Sequence, residues 1–369
     1  MGNLRMYSVP VVAVRSVQMN LSSRVLVIAE AGSNWRVGSA SQDREMLTAL
    51  IDVAAKSGAD AIKFQTFRAA DLYAVNAGES DYLAERGHRR SINDLIAELE
   101  MPYELIPEIA EECEAAGIEF MSTPFSTAAA DAIDPFVKRH KVASYEINHV
   151  RLLEALATTG KPLLMSTGAA TEDDIAFALE TARAAGATDI TLLQCTASYP
   201  APTGSLNMAA IPWMRQRFGV PVGFSDHSAD PIVGPVMAVA LGAVAVEKHF
   251  TMDRNLPGPD HTFAIEPDQL AEMVRAIREA EAARGSGPKQ IAPAEEELRK
   301  FAVRAIQATR DIAAGEELRE GHNIGLLRPG KRSKGLHARF LDSLRGRRAA
   351  RGITAGDGIG PDSVDPPLF

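Results

Sequence analysis

Eight short apolar runs, separated by stretches of helical spacing, constrain this chain more than any other feature. They fall at Val25–Ala29, Ala61–Phe64, Ile118–Met121, Val142–Ala143, Leu163–Met165, Ile190–Leu193, Val220–Phe224 and Ala243–Val246. Helical patterns such as Asp43–Lys56, Tyr103–Ala116, Thr171–Ala185, Pro231–Leu241 and Pro267–Arg284 fill most of the intervals. Thr171 with Asp174 has the form of a capping box. Gly58, Gly117, Gly160, Gly186 and Gly219 stand where helices should stop. Strand and helix alternating eight times predict an α/β chain folded as a parallel (β/α)8 TIM barrel. An open doubly wound sheet is the competing arrangement, and it lacks a Gly-x-Gly-x-x-Gly turn after the first run.

The rhythm occupies residues 23–285. Before it, residues 1–22 hold a short alternating stretch, Val9–Val14, which reads as a terminal hairpin or arm. A Gly- and Pro-containing linker is expected over 286–300. Residues 301–369 then show short strand patterns with turn glycines at Gly315, Gly330, Gly356 and Gly358, the marks of a small β-rich domain. Such a segment has a marginal core on its own. Charge changes sign at the same place. From Phe301 onward there are 12 Lys and Arg against 8 Asp and Glu, giving +4, and the remaining 27 against 40 give −13, together −9. The acidity argues against nucleic acid as the main partner. No run is long and apolar enough to span a bilayer, and the first twenty residues lack the pattern of a secretory signal. Two cysteines, Cys113 and Cys195, make no disulfide framework. The cytoplasm is the expected compartment.

In a barrel of this kind the C-terminal strand ends gather at one mouth, and here those ends are polar. They carry Glu30 and Asn34, Lys63 and Gln65, Ser122 and Thr123, Lys141, Ser144 and Glu146, Ser166 and Thr167, then Thr196, Ser198 and Tyr199. The seventh and eighth ends hold Ser225 with His227 and Glu247 with His249, each pair on one face because strand side chains alternate. Two imidazoles from separate strands beside a carboxylate suit a divalent metal with open coordination positions. The competing reading is two histidines satisfied by neighbouring groups. Lys63 and Lys141, with the hydroxyls of Thr123, Ser144, Ser166, Thr167 and Ser225, suit a small phosphate-bearing anion. Glu30 and Glu146 are candidate acids or bases. Together these groups point to carbon–carbon bond formation between an anionic enol and an aldehyde, slightly ahead of phosphate hydrolysis or Schiff-base aldol chemistry.

The residues also carry a resemblance. Ala29-Glu-Ala-Gly-Ser-Asn34, Ile62-Lys-Phe-Gln-Thr66, Met121-Ser-Thr-Pro-Phe-Ser126, Lys141-Val-Ala-Ser-Tyr-Glu146, Phe224-Ser-Asp-His227, Glu247-Lys-His-Phe-Thr251 and Pro257-Gly-Pro-Asp260 resemble motifs of the sialic acid (N-acetylneuraminate) synthase family. The tail, with Phe301, Arg310, Gly315 and Leu327-Arg-Pro-Gly330, is similar to that family's antifreeze-protein-like SAF domain. The resemblance implies condensation of phosphoenolpyruvate with an N-acylated aminohexose, assisted by manganese or magnesium. It implies Glu30, Lys63 and Glu247 as the catalytic set, with Lys63, Thr123, Lys141, Ser144 and Ser225 holding phosphoenolpyruvate. His227 and His249 would bind the metal directly and Glu247 through water. Gln65, Glu146, Tyr199 and Asp260 would contact the open-chain sugar. A homodimer is implied, in which Phe301 and Arg328 complete the other copy's site.

Three positions depart from the sialic acid enzymes: Trp35 replaces His, Tyr145 replaces Gly, and Ala197 replaces an Asn whose amide would contact phosphoenolpyruvate. Ser198 or Thr196 is the candidate substitute. The Lys-x-Ala-Ser-aromatic-Glu form is more similar to synthases of pseudaminate and legionaminate. Two other classes compete with the synthase. One is an aldolase using Lys63 or Lys141 as the amine nucleophile. The other is a non-catalytic carbohydrate-binding protein working through its tail.

Overall fold

The computed structural model describes residues 24–79, 90–285 and 287–368, so the expected N-terminal arm lies outside the described residues. The chain divides into two compact units, one ending at Gly287 and the other beginning at Pro288.

Eight parallel strands form the first unit's sheet: β1 (Leu26–Gly32), β2 (Ala61–Thr66), β3 (Glu119–Pro124), β4 (His140–Val142), β5 (Leu163–Ser166), β6 (Ile190–Cys195), β7 (Val222–Asp226) and β8 (Ala245–His249). Their order is β3-β2-β1-β8-β7-β6-β5-β4, with β3 and β4 packed side by side across the closing seam. One main helix follows each strand: α1 (Ala40–Lys56), α2 (Ile106–Ala115), α3 (Thr127–Ile133), α4 (Val150–Thr158), α5 (Glu172–Ala184), α6 (Ala210–Phe218), α7 (Val233–Ala240) and α8 (Pro267–Arg284). This is the (β/α)8 barrel expected from the alternation.

Local chemistry explains the element ends. Ser39 with Gln42 and Thr171 with Asp174 make reciprocal capping boxes at the starts of α1 and α5. Gly219 closes α6 in the left-handed region that favours glycine. The expected helix from Tyr103 instead begins as a 3₁₀ turn, Tyr103–Leu105, before α2. Seven of the strands, all but β4, run past the apolar residues into polar ones, because the ladder continues toward the mouth. β7 starts at Val222 because Pro221 has no N–H to give, although its carbonyl accepts from the Leu192 N–H at 3.0 Å.

Strand alternation sorts the interior. Ile28, Ala61, Met121, Leu164, Leu193 and Ala245 form an apolar plug inside the barrel. Alternate residues such as Val27, Ile62, Phe64, Leu192, Phe224 and Val246 join the larger core beneath the helices. Two residues above the plug, the same inward rows carry Glu30, Lys63, Thr123, Ser166, Cys195 and Glu247. Among the described residues, no helix is long and apolar enough to cross a membrane.

In the second unit, Pro293–Glu295 form a 3₁₀ turn and Glu296–Ala302 a short helix, so the stretch expected as linker over 286–300 is partly helical and its helix runs two residues past it. β9 (Ala305–Ala308) pairs antiparallel with β10 (Ile324–Leu327), and β11 (Arg348–Ala349) with β12 (Val364–Asp365). The core is small and includes Ile306, Ile312, Leu318, Ile324, Leu344 and Ile359. Buried Gln307 ties it together. Its amide donates to Ser333 O and Gly356 O, both at 2.9 Å, and accepts from the Gly335 N–H at 2.8 Å.

The plug leaves no space at Gly223. A Cβ there would stand 2.6 Å from the Ala245 carbonyl oxygen and 2.6 Å from Leu193 Cδ2. Overpacking of this kind costs about 1–3 kcal/mol. Gly223→Val is therefore expected to lower the denaturant midpoint of the barrel without changing the slope of the transition, and an unaltered midpoint would show that the plug can yield.

Candidate active site

The inward rows of the strands meet in a cleft of about 800 Å³ at the barrel mouth. Glu30, Lys63, Gln65, Thr123, Lys141, Ser144, Glu146, Tyr199, Ser225, His227, Glu247, His249 and Asp260 all line it. Phe301 and Arg328 lie in the second unit, where Phe301 O accepts from the Gly330 N–H at 3.0 Å and Arg328 is exposed.

Four charged residues form the floor, each no more than 4% exposed: Glu30, Lys63, Lys141 and Glu247. Lys63 Nζ lies 2.5 Å from Glu30 Oε2, 2.7 Å from Thr123 Oγ1 and 3.7 Å from Glu247 Oε1. Lys141 Nζ donates to Ser166 Oγ at 2.7 Å and lies 3.9 Å from Glu247 Oε2. Glu247 thus stands between two ammonium groups. Burial acts against its charge, but Lys141, Lys63 and His227 outweigh burial and hold the carboxyl below its usual range. Burial likewise opposes the Lys63 charge, yet Glu247 and Glu30 raise its pKa overall. Lys141 is less well compensated, and burial lowers it. Glu30 is pushed up to about 7, chiefly by burial, with Lys63 opposing and Glu247 adding to the rise.

Backbone geometry brings Glu30 over this floor. The β1–β2 register shifts between Glu30 and Gly32, a local bulge at the strand end. Gly32 has φ +52°, and a Cβ there would come within 3.2 Å of both Glu30 Oε1 and Asp260 Oδ2. Glu30 Oε1 accepts from Gln65 Nε2 at 3.1 Å. On the far side β4 ends at Val142, and Ser144 opens a 3₁₀ turn. That strand end is how Lys141 and Ser144, of opposite strand parity, reach the same cleft. Ser144 Oγ accepts from the Gly168 N–H at 3.0 Å.

His227 and His249 face each other with ring centroids 5.5 Å apart. His227 Nδ1 lies 2.8 Å from Thr196 O. A carbonyl only accepts, so Nδ1 donates; burial opposes the His227 charge, but Cys195 and the Thr196 carbonyl raise its pKa overall, and Nε2 has a lone pair to offer once the ring gives up its proton. His249 Nδ1 is buried with no hydrogen-bond partner. Its imidazole is held well below the ordinary range by burial, then by His227 and Lys63, and is therefore neutral. A neutral His249, with an imidazole of His227 that can yield its proton to a metal, fits a divalent cation. Among the described residues, no three or more His, Cys, Asp or Glu side chains converge as a metal site. A cation on the two histidines would therefore take other ligands from water or substrate. Tyr199 stacks on His227 at 4.2 Å and Phe263 lies 5.1 Å from His249, forming an aromatic wall.

Other strand-end residues serve the scaffold. Ser122 Oγ and Thr66 Oγ1 bond each other at 2.7 Å, and Thr167 Oγ1 donates to Leu193 O at 3.0 Å. Thr196 Oγ1 donates to Ser205 O at 2.8 Å, which leaves Ser198 as the hydroxyl in the cleft near Ala197. Trp35 is buried in the core under the Arg36 guanidinium, whereas Tyr145 stands exposed at the mouth. His261 is buried and bonded to Thr251 Oγ1 at 2.6 Å. Cys195 Sγ lies 3.6 Å from Ser144 Oγ and 3.7 Å from His227 Nδ1, neighbours that its sequence context does not reveal. Leu72, Tyr73, Ile92, Phe125 and Phe263 also line the cleft. Phe125 falls within the Met121–Ser126 motif, and nothing marked the other four in the sequence.

The NeuB family model matches residues 50–289, and the SAF domain model matches residues 303–365. The chain is 42% identical over 356 residues to the spore coat polysaccharide biosynthesis protein SpsE of Bacillus subtilis, covering 92% of this chain and 93% of that protein. It is 35% identical to a pseudaminic acid synthase of Campylobacter jejuni, covering 92% of this chain and 96% of that one. Among solved structures, an N-acetylneuraminic acid synthetase from Leptospira borgpetersenii in complex with citrate matches with a TM-score of 0.66 and 30% identity, covering 76% of this chain and 91% of that one.

Glu146 offers a direct test of the cleft's electrostatics. Burial pushes its carboxyl from 4.5 up to about 7, with Lys141 opposing, and Oε2 has no partner. A raised folded pKa means that the associated stability is complete below the unfolded value and is lost as pH rises through about 7. Glu146→Gln is therefore expected to melt higher than the parent protein near pH 8 and level with it near pH 4. An equal difference at both values would contradict a buried, unpaired carboxylate.

Proposed function

The chain belongs to the NeuB family, and from that premise we propose that this enzyme condenses phosphoenolpyruvate with an N-acylated aminohexose, giving a nonulosonic acid and inorganic phosphate. The observation that carries the reading is the pair of buried lysines, Lys63 and Lys141, set beside two neutral-capable imidazoles in one cleft. Phosphoenolpyruvate brings a phosphate and a carboxylate, and the two ammonium groups with the hydroxyls of Thr123, Ser144 and Ser225 match that charge.

His227 and His249 would hold a divalent cation, manganese or magnesium, which when bound supplies Lewis-acid polarisation of the aldehyde. Glu247 would reach that position through water. The open-chain sugar lies against Gln65, Glu146, Tyr199 and Asp260. C3 of the enol attacks the aldehyde carbon, and the aldehyde oxygen takes up a proton. Water adds at C2 and gives up a proton, and the tetrahedral product collapses by C–O cleavage to release phosphate. Glu30 carries the proton traffic, since a carboxyl poised at about 7 is efficient in both directions near neutrality. Lys63 holds Glu30 by hydrogen bond while neutralising the anion. Assembly as a homodimer, with Phe301 and Arg328 completing the other copy's sugar site, rests on the family resemblance.

The test is phosphate release from phosphoenolpyruvate across a panel of N-acylated hexosamines, with the product identified by mass. Chelator-sensitive release is expected. Borohydride trapping of substrate on Lys63 or Lys141 would instead favour the aldolase. His249→Ala is expected to lower kcat by roughly a hundredfold or more, and wild-type turnover would remove the cation role. Arg328→Ala is expected to raise KM for the sugar by about tenfold with KM for phosphoenolpyruvate unchanged. An unaltered sugar KM would remove the second unit from the site.

A further inference from the structure

One buried ion pair beside the cleft takes no part in this chemistry. Lys248 and Asp226 lie on the faces of β8 and β7 that point away from the mouth, and their side chains are 1% and 0% exposed. Lys248 Nζ donates to Asp226 Oδ2 at 2.7 Å and to Ser228 O at 2.6 Å, and lies 3.3 Å from Ser228 Oγ. Asp226 Oδ1 in turn accepts from the Ser228 N–H at 2.8 Å. Asp226 and Lys248 are direct register partners, as are Ser225 and Glu247.

The placement matters because of what lies between these residues. His227 stands one position beyond the end of β7, flanked by Asp226 and Ser228. Lys248 separates Glu247 from His249. One ammonium on β8 therefore grips the chain on both sides of His227. Room is made for the grip: a Cβ at Gly234 of α7 would come within 3.1 Å of Asp226 Oδ2. Stability is a weak reason for such a pair, since well-packed apolar residues of similar volume commonly do as well or better than a buried ion pair. What an ion pair adds is a fixed distance.

We infer that Lys248 is a positioning residue that, through Asp226 and Ser228, sets the separation of His227 from His249. The inference rests on the reading of those two histidines as cation ligands. It concerns residues that never touch the cation or either substrate.

The test uses the full chain stripped of metal, with Mn²⁺ as the probe and free Mn²⁺ read by electron paramagnetic resonance. Asp226→Leu combined with Lys248→Met removes both charges together and leaves no orphaned ion. It is expected to melt within a few degrees of the parent while its Kd for Mn²⁺ rises about tenfold or more, the scale seen when groups orienting a metal ligand are lost. A folded double variant with the parent's Kd would overturn the inference while leaving the cation site standing. Absence of Mn²⁺ binding in the parent would instead remove the cation site and this inference with it. If the double variant does not fold, Lys248→Arg decides. A planar fork cannot reproduce the contacts of a point charge, so a several-fold weaker Kd is expected, and an unchanged one overturns the inference.

Discussion

Two lysines and two glutamates held out of water at the mouth of one barrel are the constraint around which the structure is arranged. Charges of this kind are costly to bury unless opposite charge and hydrogen bonds compensate them. Glu247, placed between Lys63 and Lys141, supplies part of that compensation, and Glu30 supplies part for Lys63. The balance is incomplete. Lys141 is lowered by burial, Glu30 is raised to about 7, and buried oxygens of Glu247 and Glu146 lack partners. These incompletely compensated groups are the ones that the proposed anion and cation would meet.

The scaffold makes this arrangement possible by separating functions along each strand. The lower inward positions are apolar and fill the barrel, as with Ile28, Leu193 and Ala245. Two positions further on, the same rows carry Glu30, Cys195 and Glu247. The outward rows pack under the helices, and there the Asp226–Lys248 pair is buried behind the very residues that line the cleft. Site and core are thus opposite faces of the same strands, so a change on the outer face can alter geometry on the inner one.

Much of this was legible in the sequence, because a period of two residues is preserved wherever a strand continues. Glu247 with His249, and Ser225 with His227, fall on one face by parity alone, and the structure places all four in the cleft. Parity stops applying where a strand ends early. Lys141 and Ser144 share the cleft because β4 is only three residues long and a turn follows it. Hydroxyls were the weakest signal. Ser122, Thr167 and Thr196 sit at strand ends like Thr123 and Ser166, yet their hydrogen bonds go to the scaffold. The apolar rim of Leu72, Tyr73 and Ile92 comes from a segment between β2 and α2 with no strand to set its direction. Cys195 meets His227 only through the pairing of β6 with β7. The departure at Trp35 falls in the core, whereas that at Tyr145 lies at the mouth.

The most direct measurement of the central claim is a crystal structure of the protein soaked with Mn²⁺ and phosphoenolpyruvate, using anomalous scattering to locate manganese. The account predicts a manganese peak between the imidazoles of His227 and His249, with the phosphate and carboxylate of phosphoenolpyruvate against Lys63 and Lys141. Phosphoenolpyruvate bound away from those lysines, or manganese bound away from both histidines, would contradict it.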